Sequence, residues 1–280
     1  MSALISAEAL HSQLGALELF VFDCRHDLVQ TEKGREAYIA SHIPGAYFLH
    51  LDEVLSGAKT GRNGRHPLPA PESFIAKMEA LGLSDTSRVV AYDDAGGMYA
   101  ARLWWMLRWI GFESVSVLDG GIQTWTQAGF GLSTDTPAAR TPGKLSRKPL
   151  LPVANADELL AALGSDQLLI VDARAADRFR GENETMDPVG GHIPGATNRP
   201  FRDNLAEDGR FKPVQQLREE WLKVFAGRAP ADVVAQCGSG VTACHNLLAL
   251  EAAGLGGVRL YPGSWSEWCS DSSRPVARGS

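Results

Sequence analysis

The sequence carries two copies of one ordered set of four segments, and this internal repeat restricts the fold more than any other feature. The separation between matching segments stays between 143 and 150 residues, so small loop insertions account for the differences. Four matches in the same order predict a tandem duplication in which each copy folds as one unit. The matched segments are 19–25 with 168–174, 41–46 with 191–196, 87–92 with 231–236, and 115–121 with 258–264.

Each copy predicts an α/β domain. Short apolar strands such as 19–23 and 168–172 alternate with helical stretches, a pattern typical of a mostly parallel sheet flanked by helices. A chain of 280 residues has room for two such domains. The predicted boundaries are a first domain at 1–133, an extended proline-rich linker at 134–152 and a second domain at 153–280.

Charge and composition exclude several functional classes. A formal net charge of −6 argues against a nucleic-acid partner, but it leaves open a small anionic substrate, whose binding depends on the local field. No apolar run approaches the roughly 18 residues of a membrane span, and the N-terminus lacks the basic region of a signal peptide. The four cysteines form no zinc-like pattern with the histidines, so we expect no metal site and a cytoplasmic location.

The stretch 231–250 predicts a strand, a tight loop and a helix, with Cys237 at the start of the loop. Gly238 and Gly240 allow the backbone to turn sharply between strand and helix. Such a turn directs backbone N–H groups and the helix N-terminus at the Cys237 sulfur, which favours its thiolate. A buried structural cysteine is the alternative, but the Gly-x-Gly turn favours a nucleophile.

The first copy lacks this nucleophile. Aligning 87–92 with 231–236 sets Asp93 against Cys237. The helix that follows, at 98–110, is apolar almost all round, which is typical of a buried helix. We therefore expect the first domain to support and shape a site that the second domain carries.

Several motifs resemble those of the two-domain rhodanese-like sulfurtransferases, over nearly the whole chain. They are the His-Ile-Pro-Gly-Ala segments at 42–46 and 192–196, the loop Cys-Gly-Ser-Gly-Val-Thr-Ala at 237–243, and the tryptophans Trp265 and Trp268. The loop is similar to the 3-mercaptopyruvate sulfurtransferase version. Thiosulfate-preferring members of the family instead tend to carry basic residues directly after the cysteine.

The resemblance implies covalent sulfur transfer. The Cys237 thiolate would attack the sulfur of a small anionic donor, pyruvate would leave, and a persulfide would remain on Cys237. A small thiol, thioredoxin or cyanide would then remove the outer sulfur, and no metal or organic cofactor is implied. The loop N–H groups would stabilise the thiolate and the persulfide anion. The loop residues expected at the donor are Gly238, Gly240, Val241 and Thr242.

The resemblance also implies roles for residues outside this loop backbone. Ser239 would pair with His66 and assist proton transfer. Arg180 would bind the donor carboxylate, whereas Arg178 is expected at the surface. A second carboxylate-binding arginine, usual in mercaptopyruvate enzymes, is absent from 184–190. Thiosulfate therefore stays open as the alternative donor.

Two other functions compete with this interpretation. A phosphatase of the Cys-x5-Arg type also cradles an anion between a strand and a helix, but it needs an arginine where this chain has Ala243. A non-catalytic binding or sensor module is the other rival, because fold alone does not fix function. The presence of Cys237 favours the enzyme.

Overall fold

The chain forms two units, each built around its own sheet. The structure is a computed structural model that describes residues 2–279. The first unit contains residues 2–57, 69–151 and 208–210, and the second contains residues 58–68, 152–207 and 211–279. Segment 58–68, inside the predicted first domain, belongs to the unit carrying Cys237, whereas residues 134–151 and 208–210 belong to the first unit.

The first unit contains a five-stranded sheet in the order β1-β5-β4-β2-β3, with every pair parallel. Helices connect the strands, as parallel pairing requires. The elements are β1 (Leu4–Ile5), α1 (Ala7–His11), β2 (Leu19–Asp23), α2 (Lys33–Ala40), β3 (Ala46–Phe48), α3 (Pro71–Ala80), β4 (Arg88–Tyr92), α4 (Ala100–Trp109), β5 (Val115–Leu118) and α5 (Gly121–Gln127).

The second unit contains a four-stranded parallel sheet in the order β7-β6-β8-β9. Two short 3-10 helices, Phe201–Asn204 and Pro230–Asp232, accompany the main elements. No helix in the described part of the chain is both long enough and apolar enough to cross a bilayer. The elements are α6 (Ala156–Ala161), β6 (Leu169–Asp172), α7 (Ala176–Arg180), β7 (Thr197–Asn198), α8 (Val214–Phe225), β8 (Val233–Gln236), α9 (Thr242–Ala252), β9 (Arg259–Leu260) and α10 (Ser264–Trp268).

The central strands of the two sheets pair in the same register. β2 pairs with β4 so that Asp23 faces Tyr92, and β6 pairs with β8 so that Asp172 faces Gln236. These strands are almost entirely buried, because helices cover both faces of a parallel sheet. The predicted α/β architecture with one mostly parallel sheet per copy is confirmed.

A buried Asp–Arg pair follows the equivalent strand in each unit. Oδ2 of Asp23 lies 2.5 Å from Nη2 of Arg25, and Oδ2 of Asp172 lies 2.7 Å from Nη2 of Arg174. Each arginine also donates to a backbone carbonyl sixteen or seventeen residues further on. Both aspartates are fully buried, so removing either arginine would leave an uncompensated buried charge. The pairs therefore fix the loops at the carboxyl ends of β2 and β6.

Residues 134–152 contain no helix or strand. Most of these residues are exposed, whereas Leu145 is buried. The stretch is tied to the first unit through acidic side chains: the N–H of Leu145 donates to Glu79, and the N–H of Ser146 donates to Asp85, each at 3.0 Å.

Candidate active site

Cys237 lies in the loop between β8 and α9, as the sequence predicts, and the structure shows this loop to be buried. The strand ends at Gln236 and the helix begins at Thr242. The Cys237 side chain is only 1% exposed, and its sulfur accepts the N–H of Gly240 at 3.1 Å. A backbone donor at this distance stabilises negative charge on sulfur.

The outer side of the loop is held by α10. The carbonyls of Cys237 and Gly238 accept the N–H groups of Trp265 and Ser266, both at 2.9 Å. The N–H of Cys237 donates to Oγ of Ser264 at 3.1 Å. Because the carbonyls of Cys237 and Gly238 are bound on the α10 side, the loop is fixed around the sulfur. Gly240 has a φ of +76°, and a Cβ there would overlap the carbonyl oxygen of Pro262, so only glycine fits.

Ser264 supports the loop, although sequence analysis did not single it out. It adopts a φ of +54°, which non-glycine residues seldom do, and its hydroxyl donates to the carbonyl of Tyr261 at 2.9 Å. The matching residue in the first copy is Gly121, with a φ of +61°. The alignment of the two copies could therefore have indicated that Ser264 has an unusual backbone conformation, because it matches a glycine in the first copy.

The other three cysteines have different environments. Burial raises the pKa of the Cys24 thiol, and it raises the pKa of Cys269 to about 11. Cys244 donates its S–H to the carbonyl of Gly240 at 3.2 Å. No disulfide forms among the described residues. Of the four sulfurs, that of Cys237 therefore has the setting expected for a nucleophile.

Ser239 and His66 form a buried pair. Oγ of Ser239 lies 2.8 Å from Nδ1 of His66, and both residues are at least 94% buried. His66 belongs to segment 58–68, which is attached to the start of α10 through a 3.1 Å hydrogen bond from the N–H of Arg65 to Oγ of Ser266. The structure thus brings together two of the side chains that the sequence assigns to catalysis, beside the loop that carries Cys237.

A chain of ion pairs runs beside this loop in the second unit. Three arginines alternate with three acids, and the acidic side chains are at most 4% exposed. Burial acts to raise the pKa of Glu184, but hydrogen bonds from Arg178 and from the N–H of Met186 outweigh it, so that pKa is lowered. Burial raises the pKa of Asp187, against the effect of the Arg65 charge. The order of contacts is Asp172, Arg174, Glu184, Arg178, Asp187 and Arg65.

The structure places Arg178, rather than Arg180, beside the loop. A Cβ added at Gly238 would lie 3.6 Å from Nη2 of Arg178. The side chain of Arg180 is 37% exposed and pairs with Glu182 at 2.7 Å. Residues two apart on a helix point in nearly opposite directions, so only one of the two arginines can face the loop. The expected position of Arg180 at the loop is corrected accordingly.

A family model for the rhodanese-like domain matches residues 6–128 and again residues 155–271. The chain belongs to the rhodanese-like family. The two matches coincide with the two copies of the repeat, so the resemblance seen in the sequence is confirmed. The loop around Cys237 lies within the second rhodanese-like domain.

Individual relatives are sulfurtransferases of two kinds. A probable 3-mercaptopyruvate sulfurtransferase of Pseudomonas aeruginosa is 47% identical over 279 residues, which cover 99% of this chain and 98% of the relative. The thiosulfate sulfurtransferase of Bos taurus is 36% identical over 249 residues, covering 85% and 80%. The solved structure of the 3-mercaptopyruvate sulfurtransferase from Leishmania major has a TM-score of 0.85 at 30% identity, covering 98% of this chain and 76% of that one.

In the first rhodanese-like domain, Asp93 occupies the position that Cys237 holds in the second. Its buried carboxylate accepts four backbone N–H groups of its own loop. Complete burial raises the pKa of this carboxyl, and the four donors act against that rise. In the first domain, the strand–loop–helix turn thus directs N–H groups at the carboxylate oxygens of Asp93, which lie two bonds from its Cβ. The donors are Ala95, Gly97, Tyr99 and Ala100, at 2.7–2.9 Å.

One group of side chains in the first domain has ligand atoms close enough to share a metal ion: Glu32, His50 and Glu53 lie within 4.8 Å of one another. Both ring nitrogens of His50 are already bound, Nε2 to the carbonyl of Thr31 at 3.1 Å and Nδ1 to the N–H of Asp52 at 3.2 Å. Because a ligating histidine needs one nitrogen available, we assign no metal to this group.

Proposed function

We propose that this protein is a sulfurtransferase that takes sulfur from 3-mercaptopyruvate through a persulfide on Cys237. The supporting observation is the buried Cys237 sulfur, held in a rigid loop with the Gly240 N–H at 3.1 Å and with the Ser239–His66 pair beside it. The relatives that share nearly the full length of the chain include sulfurtransferases named for this donor. The predicted cytoplasmic location remains part of this proposal.

In the first half of the reaction, the Cys237 thiolate attacks the donor sulfur. A sulfur–sulfur bond forms while the donor's carbon–sulfur bond breaks, and its electron pair remains on pyruvate as the enolate. The enolate needs a proton to become pyruvate. The Ser239 hydroxyl, held by His66, is positioned in this proposal to supply it.

In the second half, a nucleophilic acceptor attacks the outer sulfur of the persulfide. The sulfur–sulfur bond breaks and its electron pair returns to Cys237 as the thiolate. A small thiol or thioredoxin leaves as a persulfide, and cyanide leaves as thiocyanate. Donor and acceptor therefore act in turn on one sulfur atom, which gives ping-pong kinetics.

The loop around Asp93 in the first domain indicates how the equivalent loop around Cys237 could stabilise a persulfide. The outer sulfur of a persulfide lies two bonds from Cβ, as the carboxylate oxygens of Asp93 do. Those oxygens accept four N–H groups from the equivalent loop. We infer that N–H groups of the Gly238–Thr242 stretch, besides the Gly240 donor already on Sγ, stabilise the outer sulfur when it arrives.

The donor is tested by measuring kcat/KM with 3-mercaptopyruvate and with thiosulfate at one acceptor concentration. The proposal predicts a preference of about tenfold or more for 3-mercaptopyruvate, equivalent to about 1.4 kcal/mol. A preference for thiosulfate would make this chain a thiosulfate sulfurtransferase. The absence of arginine from 184–190 is the observation that favours that second candidate. Turnover with neither donor would favour a binding or sensor module.

Replacing His66 with glutamine should affect the two donors differently. With 3-mercaptopyruvate, loss of proton delivery to the enolate lowers kcat by about 100-fold. Thiosulfate releases sulfite, which needs no proton on carbon, so its kcat falls by less than about threefold. Steady-state rates with both donors check this. An equal fall with both would assign His66 to holding the loop rather than to proton transfer.

Replacing Arg178 with glutamine should raise the KM for 3-mercaptopyruvate by about 10- to 100-fold, because a charge-assisted hydrogen bond to its carboxylate is lost. The matched control is Arg180→Gln, two residues along the same helix, which should change KM by less than about twofold because it removes only an exposed ion pair. Thermal unfolding of both variants shows whether Arg178→Gln also weakens the fold. A larger effect from Arg180 would restore the assignment made from sequence.

A further inference from the structure

Arg65 places one edge of its guanidinium beside the catalytic loop, and no described residue accepts a hydrogen bond from that edge. Its Nη1 pairs with the carboxylate of Asp187. Its Nε is buried and has no hydrogen-bond partner within residues 2–279. A Cβ added at Gly238 would lie 2.9 Å from its Nη2, so this edge adjoins the residue that directly follows Cys237.

We infer that Arg65 is the second donor-binding arginine of this site and that its Nε–Nη2 edge binds the carboxylate of an α-keto acid donor. The inference rests on the proposed function and extends it to the residue that recognises the substrate. Arg65, in segment 58–68, would supply the positive charge that is absent from 184–190.

The geometry of the guanidinium supports this assignment. Nε–H and Nη2–H point the same way and match the two oxygens of a carboxylate. A buried N–H without a partner raises the free energy of the folded chain until an acceptor reaches it. Asp187 leaves this edge available because it contacts Nη1, on the other side of the group. The Asp187 side chain is 3% exposed and fixes the guanidinium in place.

Two arginines then approach the same point of the loop. Nη2 of Arg65 and Nη2 of Arg178 lie 2.9 Å and 3.6 Å from the position of a Cβ on Gly238. Arg178 is committed to Glu184 through Nε and Nη2, at 3.1 Å and 2.8 Å. Of the two arginines, Arg65 therefore presents the bidentate edge that no carboxylate of residues 2–279 occupies. Any side chain at position 238 would fill the space between the arginines and the loop.

The test compares Arg65→Gln, Arg65→Lys and the control Arg62→Gln, an exposed arginine of the same segment. We expect Arg65→Gln to raise KM for 3-mercaptopyruvate by about 10- to 100-fold, with kcat changed less than about threefold. Lysine should not rescue it, because an ammonium cannot form the paired contact. Arg62→Gln should behave as the unmodified chain. An unchanged KM in Arg65→Gln would overturn the inference.

The Asp187→Asn variant distinguishes donor binding by Arg65 from a structural role, in which Arg65 would hold His66 in place through its contact with Asp187. If Arg65 binds the donor, the amide oxygen of the asparagine still accepts from Nη1 and keeps the guanidinium in place, while removing the negative charge leaves the site more positive and lowers KM. If the Arg65–Asp187 ion pair only holds segment 58–68 in place, Asp187→Asn and Arg65→Gln both lower kcat. Each variant then lowers kcat to the same extent with 3-mercaptopyruvate and with thiosulfate. That result would contradict the inference.

Failure of the inference and failure of the proposed function give different results. Pyruvate, the expected product, can be tested as an inhibitor of turnover with thiosulfate. If Arg65 binds the carboxylate, Arg65→Gln weakens pyruvate inhibition by about 10- to 100-fold, whichever donor the enzyme prefers. An unmodified chain that releases no pyruvate from 3-mercaptopyruvate refutes the proposed function. Normal release with unweakened inhibition in Arg65→Gln refutes only the role of Arg65.

Discussion

Replacing Cys237 with alanine should lower sulfur transfer by about four orders of magnitude or more, because the atom that holds the transferred sulfur is gone. The loss should be the same with every donor and acceptor, since both halves of the reaction use this atom. Steady-state production of pyruvate and of the sulfurated acceptor measures it. Residual turnover above a few percent would contradict the mechanism.

The fold should survive this change. Cys237 is 1% exposed, and its sulfur accepts the N–H of Gly240 at 3.1 Å. Losing that contact costs about 1 kcal/mol, a small part of the stability of a domain. Cys237→Ser keeps an acceptor at the site and is the control for stability. Matching thermal unfolding of both variants and the unmodified chain separates loss of chemistry from loss of structure.

Replacing Gly240 with alanine should damage both the loop and the chemistry. The φ of +76° costs alanine about 1–2 kcal/mol, and overlap of its Cβ with the Pro262 carbonyl adds about 1–3 kcal/mol more. The loop must move to relieve this overlap, and the Gly240 N–H then leaves the Cys237 sulfur. Loss of one such donor lowers kcat by about 100- to 1,000-fold. Denaturant unfolding and kcat with either donor measure the two effects.

Gly195→Ala is the matched control for Gly240→Ala. Gly195 lies in the same unit with a φ of +80°, but a Cβ there would meet nothing within 4 Å. It should lose only about 1 kcal/mol of stability and keep its activity. If both variants lose activity equally, the account of the loop is wrong, because general destabilisation would explain the result.

The architecture could be predicted because the repeat and the strand pattern are properties of the sequence itself. Apolar runs such as 19–23 and 168–172 predict buried parallel strands, and the register of β2 with β4 repeats in β6 with β8. The strand–loop–helix around Cys237 could be predicted for the same reason. Its glycines lie between an apolar run typical of a buried strand and an apolar run typical of a buried helix. This order of segments predicts a tight loop between a strand and a helix.

The side chains around the Cys237 loop were harder to predict from the sequence than the loop itself. Helix α7 has only five residues, too few for periodicity to show which face is buried, so the choice between Arg178 and Arg180 had no local signal. Arg65 lies 172 residues before Cys237 in the sequence, and only the folded chain brings it to Asp187. Glu184 and Asp187 stand in the stretch where the family resemblance implies a second arginine, and these acidic residues indicate that a basic partner comes from elsewhere in the chain.

The central claim is that Cys237 carries the sulfur as a persulfide. The most direct measurement incubates the protein with 3-mercaptopyruvate without an acceptor and then determines the intact mass and the modified peptide. The account predicts a mass gain of one sulfur atom per chain, located on Cys237, together with one pyruvate released and full loss of the gain after a thiol is added. Release of pyruvate without added sulfur, or added sulfur on Cys24, Cys244 or Cys269, would contradict it.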